Sequence, residues 1–294
     1  MKLFLAGLDT SAGTEIRYLA NCSNYLTTFY QHQNKFNKDW IDSYKKTTQA
    51  GAEWIMDSGL FTMMFGAGSD ITYNEKDLIE YTYKYLNAMK KINFKGTIVE
   101  MDVHKVLGID KLAKFRKIFE KEYDIEKTIF VWHIEEGKDG FDKLCNRYPY
   151  IAISIPELRK VLKGKNKLEQ TVKHLIGRAN QINPNIKIHL LGCTQQNLME
   201  QGGYYSCDST SWLSGGRYGM NAVWFKNKIK TIPIRSKMFV EYKNTYEKEW
   251  QQIQKFTNSA LYYKDFWLSA KSYIKLNEHI NNKYFKGEAV KKLW

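Results

Sequence analysis

The 294-residue sequence is poor in cysteine and proline, and its few cysteines follow no metal-binding pattern. Cys22, Cys145, Cys193 and Cys207 are far apart, and no Cys-x-x-Cys pair or Cys/His cluster has the spacing of a zinc site. No His-x-His or His-Glu-x-x-His pattern joins two metal ligands either. We therefore expect reduced thiols, no bound metal and no cofactor.

Long apolar runs are also missing, which argues against a helix that crosses a membrane. No run approaches the roughly 20 residues that such a helix needs. Only about six apolar-leaning residues lie between Lys2 and Asp9, too few for the core of a signal peptide. The sequence therefore predicts a cytoplasmic protein with no membrane partner.

Basic residues are abundant. The chain carries 45 Lys and Arg against 31 Asp and Glu, a formal charge of +14. Residues 225–294 account for +9 of it, with 15 basic residues, 6 acidic residues and 14 aromatics. This pattern favours a surface for phosphates and unstacked bases. The alternative is general solubility, with the aromatics packed in the core of amphipathic helices and the lysines in water.

Short apolar runs alternate with longer helical stretches along the chain, which indicates parallel strands joined by crossover helices. An open doubly wound sheet is the rival of a (β/α)8 TIM-type barrel. The barrel is favoured because polar residues follow most of the strands. We expect a barrel over 1–235 and a basic, aromatic-rich helical region over 236–294 that completes it and contacts nucleic acid. The predicted strands are 3–7, 54–56, 97–101, 128–132, 150–153, 187–191 and 204–207, and helices are predicted over 15–33, 76–91, 109–121, 168–180 and 245–286.

Two of these strands lead into an aspartate, about half a chain apart. Trp54-Ile55-Met56 precedes Asp57, and Ser206-Cys207 precedes Asp208. Strand ends converge at the C-terminal face of a parallel barrel, so the two carboxylates can meet there. One would then serve as nucleophile and the other as acid or base. Taken singly, each aspartate fits a turn or a helix cap equally well.

A series of short motifs follows in order between Asp57 and Gly219. They are Asp57-Ser58-Gly59-Leu60-Phe61, Met101-Asp102, His133, Ala152-Ile153-Ser154-Ile155, His189-Leu190-Leu191-Gly192, Asp208 and Gly216-Arg217-Tyr218-Gly219. In this order they resemble the tRNA-guanine transglycosylase superfamily. Its members are (β/α)8 barrels that exchange a guanine in nucleic acid for a 7-deazaguanine. The resemblance implies the same reaction here, through a covalent glycosyl-aspartate intermediate.

The resemblance also implies roles for individual residues. Asp208 is the expected nucleophile and Asp57 the proton shuttle. Asp102 is expected to bind the N–H edge of the base, while His133 and a backbone amide near Ser154-Ile155 donate to its O6. The alternative for His133 is a structural role as a hydrogen-bonding histidine, and the alternative for Phe61 is packing in the core. The other expected base contacts are Phe61, Ser58 and Gly192, and the expected nucleic-acid contacts are Arg217, Lys226, Lys228, Lys230 and Arg235.

The chain departs from the superfamily in one clear respect. The usual zinc motif after the nucleophile is absent, and residues 227–294 contain no cysteine. With its compact size, the chain looks more like the phage-type branch that places 7-deazaguanines in DNA, where the modification protects against restriction. The expected partners are DNA and a free base such as 7-cyano-7-deazaguanine. The alternatives are a tRNA substrate, a non-catalytic nucleic-acid-binding paralogue and a metal-dependent hydrolase built on Asp9, His104, His133, His189 and Asp208.

Overall fold

Eight parallel strands close into a barrel in chain order, each hydrogen-bonded to the next and the last to the first. The computed structural model describes residues 1–65, 73–164, 166–213, 218–255 and 263–284. The closed parallel barrel with its outer helices confirms the predicted fold class. The strands are β1 Lys2–Ala6, β2 Asn24–Thr28, β3 Glu53–Asp57, β4 Thr97–Val99, β5 Thr128–Trp132, β6 Tyr150–Ser154, β7 Lys187–Leu191 and β8 Ser206–Ser209.

Side chains alternate between the barrel interior and the layer beneath the helices, as the pleat of a strand requires. In β1, Phe4 and Ala6 belong to the interior cluster, whereas Leu3 and Leu5 pack under the helices. The register pairs Phe4 with Asp208, so Asp208 has the orientation of an interior residue. The interior cluster consists of Phe4, Ala6, Leu26, Ile55, Val99, Ile129, Val131, Tyr150 and Ala152.

Helices surround the barrel, and several begin at a clear capping residue. The Asn74 side chain accepts from the Asp77 N–H, and Asp77 accepts from the Asn74 N–H, which fixes the start of the fifth helix. The described helices are α1 Ser11–Leu19, α2 Phe29–His32, α3 Lys38–Gln49, α4 Leu60–Phe65, α5 Glu75–Lys91, α6 His104–Leu107, α7 Leu112–Glu122, α8 Gly137–Arg147, α9 Ile155–Val161, α10 Lys167–Ile182, α11 Gln196–Met199, α12 Lys237–Thr245, α13 Glu247–Gln254 and α14 Tyr263–Tyr284.

An antiparallel hairpin separates the barrel strands from the C-terminal helices. Its strands are β9 Met220–Phe225 and β10 Lys228–Pro233. Asn221 donates to the Asp265 carbonyl near the start of α14, and the Trp224 ring lies 5.4 Å from the His279 ring further along that helix. In turn, Asn281 of α14 donates to the Met1 carbonyl beside β1. The hairpin turn therefore lies toward the N-terminal end of the barrel.

The structure differs from the predicted elements in several places. The predicted helix over 15–33 is wrong, because Asn21 adopts φ +63 and α1 gives way to the strand β2. The buried run Asn24-Tyr-Leu-Thr-Thr has the β-branched and aromatic composition of a strand. Strand β4 ends at Val99 rather than Met101, and β8 runs through Asp208 to Ser209. The hairpin of β9 and β10 was not among the predicted elements.

The C-terminal helix α14 packs against the barrel as its last outer helix. It contacts β1, β9 and α1, and the Trp267 indole N–H donates to the Leu19 carbonyl at 3.1 Å. Within the described ranges, no helix is both long and apolar enough to cross a membrane.

Candidate active site

Four aspartates from different strands converge at the C-terminal mouth of the barrel. Asp9 follows β1, Asp57 ends β3, Asp102 follows β4 and Asp208 lies in β8. The other three carboxylates all act electrostatically on Asp57, so the four carboxylates lie near one another. The structure thus brings together the three acidic residues expected from the sequence and adds Asp9.

Asp57 is held at the turn from β3 into α4. Its Oδ1 accepts a hydrogen bond from the Gly59 N–H at 2.6 Å, and Gly59 adopts φ +75 at this turn. Burial raises the pKa of the Asp57 carboxyl from 3.8 to about 6, and the charge of Asp208 adds to this effect. Asp57 is therefore suited to take up and release a proton near neutral pH.

Asp208 is buried, and one of its two carboxylate oxygens is anchored. Oδ1 accepts from the Gly192 N–H at 2.6 Å, and Nε2 of His189 lies 3.3 Å from the same oxygen. Oδ2 accepts no hydrogen bond from the part of the chain that the structure describes. The arrangement fixes the carboxylate and leaves Oδ2 as the oxygen that can attack.

A buried hydrogen-bonded chain supports His189 from inside the barrel. Nδ1 of His189 lies 2.7 Å from Oγ of Ser206, and that hydroxyl lies 2.6 Å from the Tyr150 hydroxyl. All three residues are buried, so the network fixes the imidazole beside Asp208. The sequence suggested His189 as a metal ligand and gave no sign that it lies beside Asp208.

A second network surrounds Asp102 on the neighbouring strands. Nδ1 of His104 contacts Oδ1 of Asp102, and Nε2 of His133 lies 3.2 Å from the same oxygen. Glu157 in α9 binds the opposite side of both rings, with Nε2 of His104 at 3.1 Å and Nδ1 of His133 at 3.4 Å. The two rings stack with centroids 3.6 Å apart.

The charges in this second network follow from its hydrogen bonds. Burial by itself lowers the pKa of His104, but the bonds to Asp102 and Glu157 outweigh burial and raise it to about 9. Burial alone would raise the pKa of Glu157, yet the bonds from His104, His133 and Lys105 hold it well below its ordinary value. At neutral pH the network contains a His104 cation and a Glu157 anion.

A buried ion pair between Glu100 and Arg116 stabilises the strand ends next to Asp102 and His133. Glu100 is fully buried and accepts from the Val131 N–H at 2.7 Å and from Nε of Arg116 at 3.1 Å. Arg116 also donates to Glu136, which accepts from the His133 N–H at 3.0 Å. Burial raises the pKa of Glu100 to about 7, although Arg116 opposes this effect.

The other predicted base-binding residues occupy different positions. Ser58 is buried, and its carbonyl accepts from the Tyr81 hydroxyl at 2.7 Å. Phe61 lies in α4 with 72% of its surface exposed. Ser154 caps α9 through the Glu157 N–H at 3.4 Å, and Ile155 is buried at the start of that helix.

The predicted nucleic-acid contacts are not gathered around the carboxylates. Lys226, Lys228 and Lys230 are exposed on the hairpin, whose turn lies toward the other end of the barrel. Arg235 is exposed just beyond β10, at the hairpin end that is closer to the mouth. Arg217 lies outside the described residues.

Some residues of the site escaped the sequence reasoning. Glu157 sits in a helix that follows a strand, and nothing in its local pattern distinguishes it from a solvent-facing glutamate. The predicted strand over 97–101 includes Glu100, and a charged residue between Val99 and Met101 indicates a buried partner elsewhere in the fold. The sequence suggested His104 and Asp9 only as metal ligands. In the structure His104 contacts Asp102, and Asp9 lies near Asp57.

Among the described residues, two groups of side chains have ligand atoms close enough to hold a metal ion. Ligand atoms of Asp102, His104 and His133 lie within 4.8 Å of one another, as do those of His104, Glu135 and Glu157. The lysine Lys105 already bridges Glu135 and Glu157, at 2.5 and 2.9 Å. The first group is therefore the better match to a metal site.

Comparisons with known proteins leave the function open. No protein-family model matches the chain, and no curated protein matches its sequence. A solved structure of a mandelate racemase/muconate lactonizing protein from Herpetosiphon aurantiacus is similar, with a TM-score of 0.44 and 9% sequence identity. The matched part covers 77% of this chain and 59% of that one. So distant a likeness carries no functional information.

Proposed function

We propose that this protein is a base-exchanging transglycosylase that replaces guanine in DNA by a 7-deazaguanine. The observation that carries the proposal is the pairing of two unlike carboxylates at the barrel mouth. Asp208 has one anchored and one open oxygen, while Asp57 holds its proton up to a pKa of about 6. Such a division suits a double displacement at a sugar carbon.

Asp208 acts as the nucleophile. Its Oδ2 attacks C1′ of the target nucleoside, a C–O bond forms, and the C–N bond to guanine breaks with its electron pair passing to the base. The Gly192 N–H on Oδ1 keeps the carboxylate from rotating away from C1′. The incoming base then attacks C1′ and displaces Asp208, so the configuration is retained.

Asp57 moves the proton. The departing guanine takes a proton from the Asp57 carboxyl, and the incoming base returns one before or during its attack. The pKa near 6 keeps both forms of the carboxyl accessible at neutral pH. The neighbouring charge of Asp208 favours the protonated form, and formation of the glycosyl ester removes that charge.

The proposed base-binding site consists of Asp102, Phe61 and the backbone at Ser154-Ile155. The half-exposed carboxylate of Asp102 matches the N1–H and amino donors of a guanine edge. Phe61 offers an aromatic face, and the backbone at Ser154-Ile155 is the expected donor to O6. In duplex DNA the nucleotide must leave the stack to reach a pocket in the barrel mouth.

The decisive experiment is base exchange with labelled guanine or 7-cyano-7-deazaguanine. Duplex DNA, single-stranded DNA and tRNA are supplied separately, with Asp208→Asn as the inactive control. Label entering DNA alone, and lost in the variant, is the expected result. Label entering tRNA would move the substrate to the RNA branch, and no incorporation with intact DNA binding would favour a non-catalytic paralogue.

A metal-dependent hydrolase is the second candidate, favoured by the Asp102, His104 and His133 grouping. It predicts stoichiometric metal in the purified protein and loss of that metal in His104→Asn. Base exchange that is insensitive to EDTA would rule it out.

A further inference from the structure

A dense basic run lies at the mouth of the barrel, in α9 and the turn that follows it. Residues 158–168 contain five Lys and Arg and no Asp or Glu. Three of these cations, Arg159, Lys160 and Lys163, are exposed. Because α9 follows β6 directly, this run belongs to the end of the barrel that carries the carboxylates.

Two contacts place α9 beside the proposed nucleophile. Pro156 packs so closely on Gly192 that a Cβ on that glycine would lie 2.8 Å from the proline Cγ. The N–H of Gly192 is the group that anchors Asp208. Nη2 of Arg159 donates to Oε1 of Gln195 at 3.0 Å, in the same loop after β7. The cations of α9 therefore lie on the Asp208 side of the mouth.

These cations are not neutralised by carboxylates of the described chain. Two other lysines that follow β4 illustrate the contrast, because Lys105 pairs with Glu135 and Glu157, and Lys111 pairs with Glu75. Within the described ranges, no carboxylate forms such an ion pair with the three exposed cations of the α9 run. The run therefore keeps three positive charges available for an anionic ligand.

The most exposed large apolar side chains also lie at this end of the barrel. In the described part of the chain, the three with the greatest exposure each follow a barrel strand, and they are Tyr218, Phe61 and Val161. Tyr218 is 76% exposed, and the adjacent Gly219 carbonyl accepts from the Ile234 N–H at 3.0 Å. This bond holds Tyr218 at the hairpin end nearest the mouth.

The cations and the tyrosine stand on opposite sides of the proposed nucleophile. Strands β6, β7 and β8 are neighbours in the barrel, α9 follows β6 and Tyr218 follows β8. Exposed cations beside an exposed aromatic ring match an unstacked nucleic-acid strand, because phosphates bind the cations and a base stacks on the ring. An acidic peptide would satisfy the cations and leave the ring of Tyr218 uncovered.

We propose that Arg159, Lys160, Lys163 and Tyr218, together called the α9 rim, bind the unstacked DNA strand on either side of the target nucleotide. Phosphates on one side of that nucleotide contact the three cations, and a base on its other side stacks on Tyr218. The choice of DNA rests on the function proposed above. The α9 rim is separate from the hairpin lysines, since the hairpin turn lies toward the other end of the barrel.

The cations are tested by the salt dependence of DNA binding. Fluorescence anisotropy measures the affinity for a single-stranded DNA oligonucleotide between about 50 and 200 mM salt. The triple variant Arg159→Gln, Lys160→Gln, Lys163→Gln should bind at least about 10-fold more weakly at the low end. The slope of log affinity against log salt should fall by about 2, because three phosphate contacts are lost. Wild-type affinity and slope in this variant would overturn the proposal.

A matched control removes the same charge elsewhere. Lys45, Lys91 and Lys143 are exposed and lie in the second halves of α3, α5 and α8, which run away from the mouth. Their triple replacement by glutamine should leave the affinity and the slope at the wild-type values. A loss as large as that of the rim variant would show a general effect of net charge and overturn the proposal.

Tyr218 is tested with and without bases in the ligand. Tyr218→Ala should weaken binding of the oligonucleotide about 5- to 100-fold, because one stacked base is lost. Tyr218→Phe keeps the ring and should bind like wild type. An abasic oligonucleotide of the same length offers no base to stack, so wild type and Tyr218→Ala should bind it equally. Unchanged affinity for the normal strand, or an equal loss for both strands, would overturn the stacking role.

Base exchange separates this proposal from the proposed function. Rim-dependent DNA binding by a protein that exchanges no base would refute the proposed function and leave the α9 rim standing. Base exchange in the rim variants with the wild-type KM for DNA would overturn the α9 rim and leave the function intact. Rim substitutions that weaken binding of tRNA and not of DNA would overturn DNA as the ligand of this face.

Discussion

Replacing Asp57 by asparagine should stabilise the fold at alkaline pH and change it little at acidic pH. The folded protein holds the Asp57 proton up to a pKa of about 6, whereas the unfolded chain releases it near 3.8. Between these values the folded state binds more protons, so its stability falls as the pH rises through this window. Above pH 6 the free energy of unfolding of the wild type stays at this lower value. An asparagine never ionises, so Asp57→Asn does not undergo the decrease.

The size of the effect follows from the shift. About two pKa units at about 1.4 kcal/mol each give roughly 3 kcal/mol, and solvent screening of this half-buried side chain reduces it to about 2 kcal/mol. Asparagine keeps the oxygen that accepts from the Gly59 N–H, so the turn geometry is preserved. The stabilisation should therefore appear without compensating local damage.

Urea unfolding of wild type and Asp57→Asn at pH 4 and pH 8 measures the difference directly. Groups that titrate equally in both proteins cancel in the comparison. Glu126→Gln, at an exposed glutamate, is the control and should show no pH-dependent gain. Equal effects at both pH values, or a net destabilisation at pH 8, would refute the idea that the fold raises the pKa of Asp57.

Three further predictions concern other parts of the structure. Gly192→Ala should lower the free energy of unfolding by about 1 to 3 kcal/mol and reduce base exchange, because Gly192 has φ +60 and a Cβ would lie 2.8 Å from Pro156. An unchanged melting temperature would contradict this prediction. Arg116→Leu should lower the free energy of unfolding by about 3 to 5 kcal/mol at pH 8, because it leaves the buried Glu100 without its cation. The loss should be smaller at pH 5, where Glu100 takes up a proton, and denaturant unfolding at the two pH values measures the difference. Alanine at Lys226, Lys228 and Lys230 should weaken DNA binding at low salt and flatten its salt dependence, and equal affinity in titrations would exclude the hairpin from the interface.

The alternation of elements was readable from the sequence because it reflects local composition. The run Thr128–Trp132 is short, apolar and rich in β-branched residues, and it forms a barrel strand. The run Asn24–Thr28 begins with asparagine and ends with two threonines, and this polar composition does not suggest a strand with four of its five residues buried. Its burial depends on neighbours that are distant in the sequence.

The sequence by itself determined the barrel and the placement of Asp57, Asp102 and Asp208 after or within strands, because strand ends in a parallel barrel must converge. Only the tertiary structure decided which groups surround these carboxylates. His189 meets Asp208, and Glu157 meets His104 and His133, through contacts that span 19, 53 and 24 residues. Such contacts depend on the register between strands and on the angle at which a helix leaves the barrel, and no local pattern encodes either.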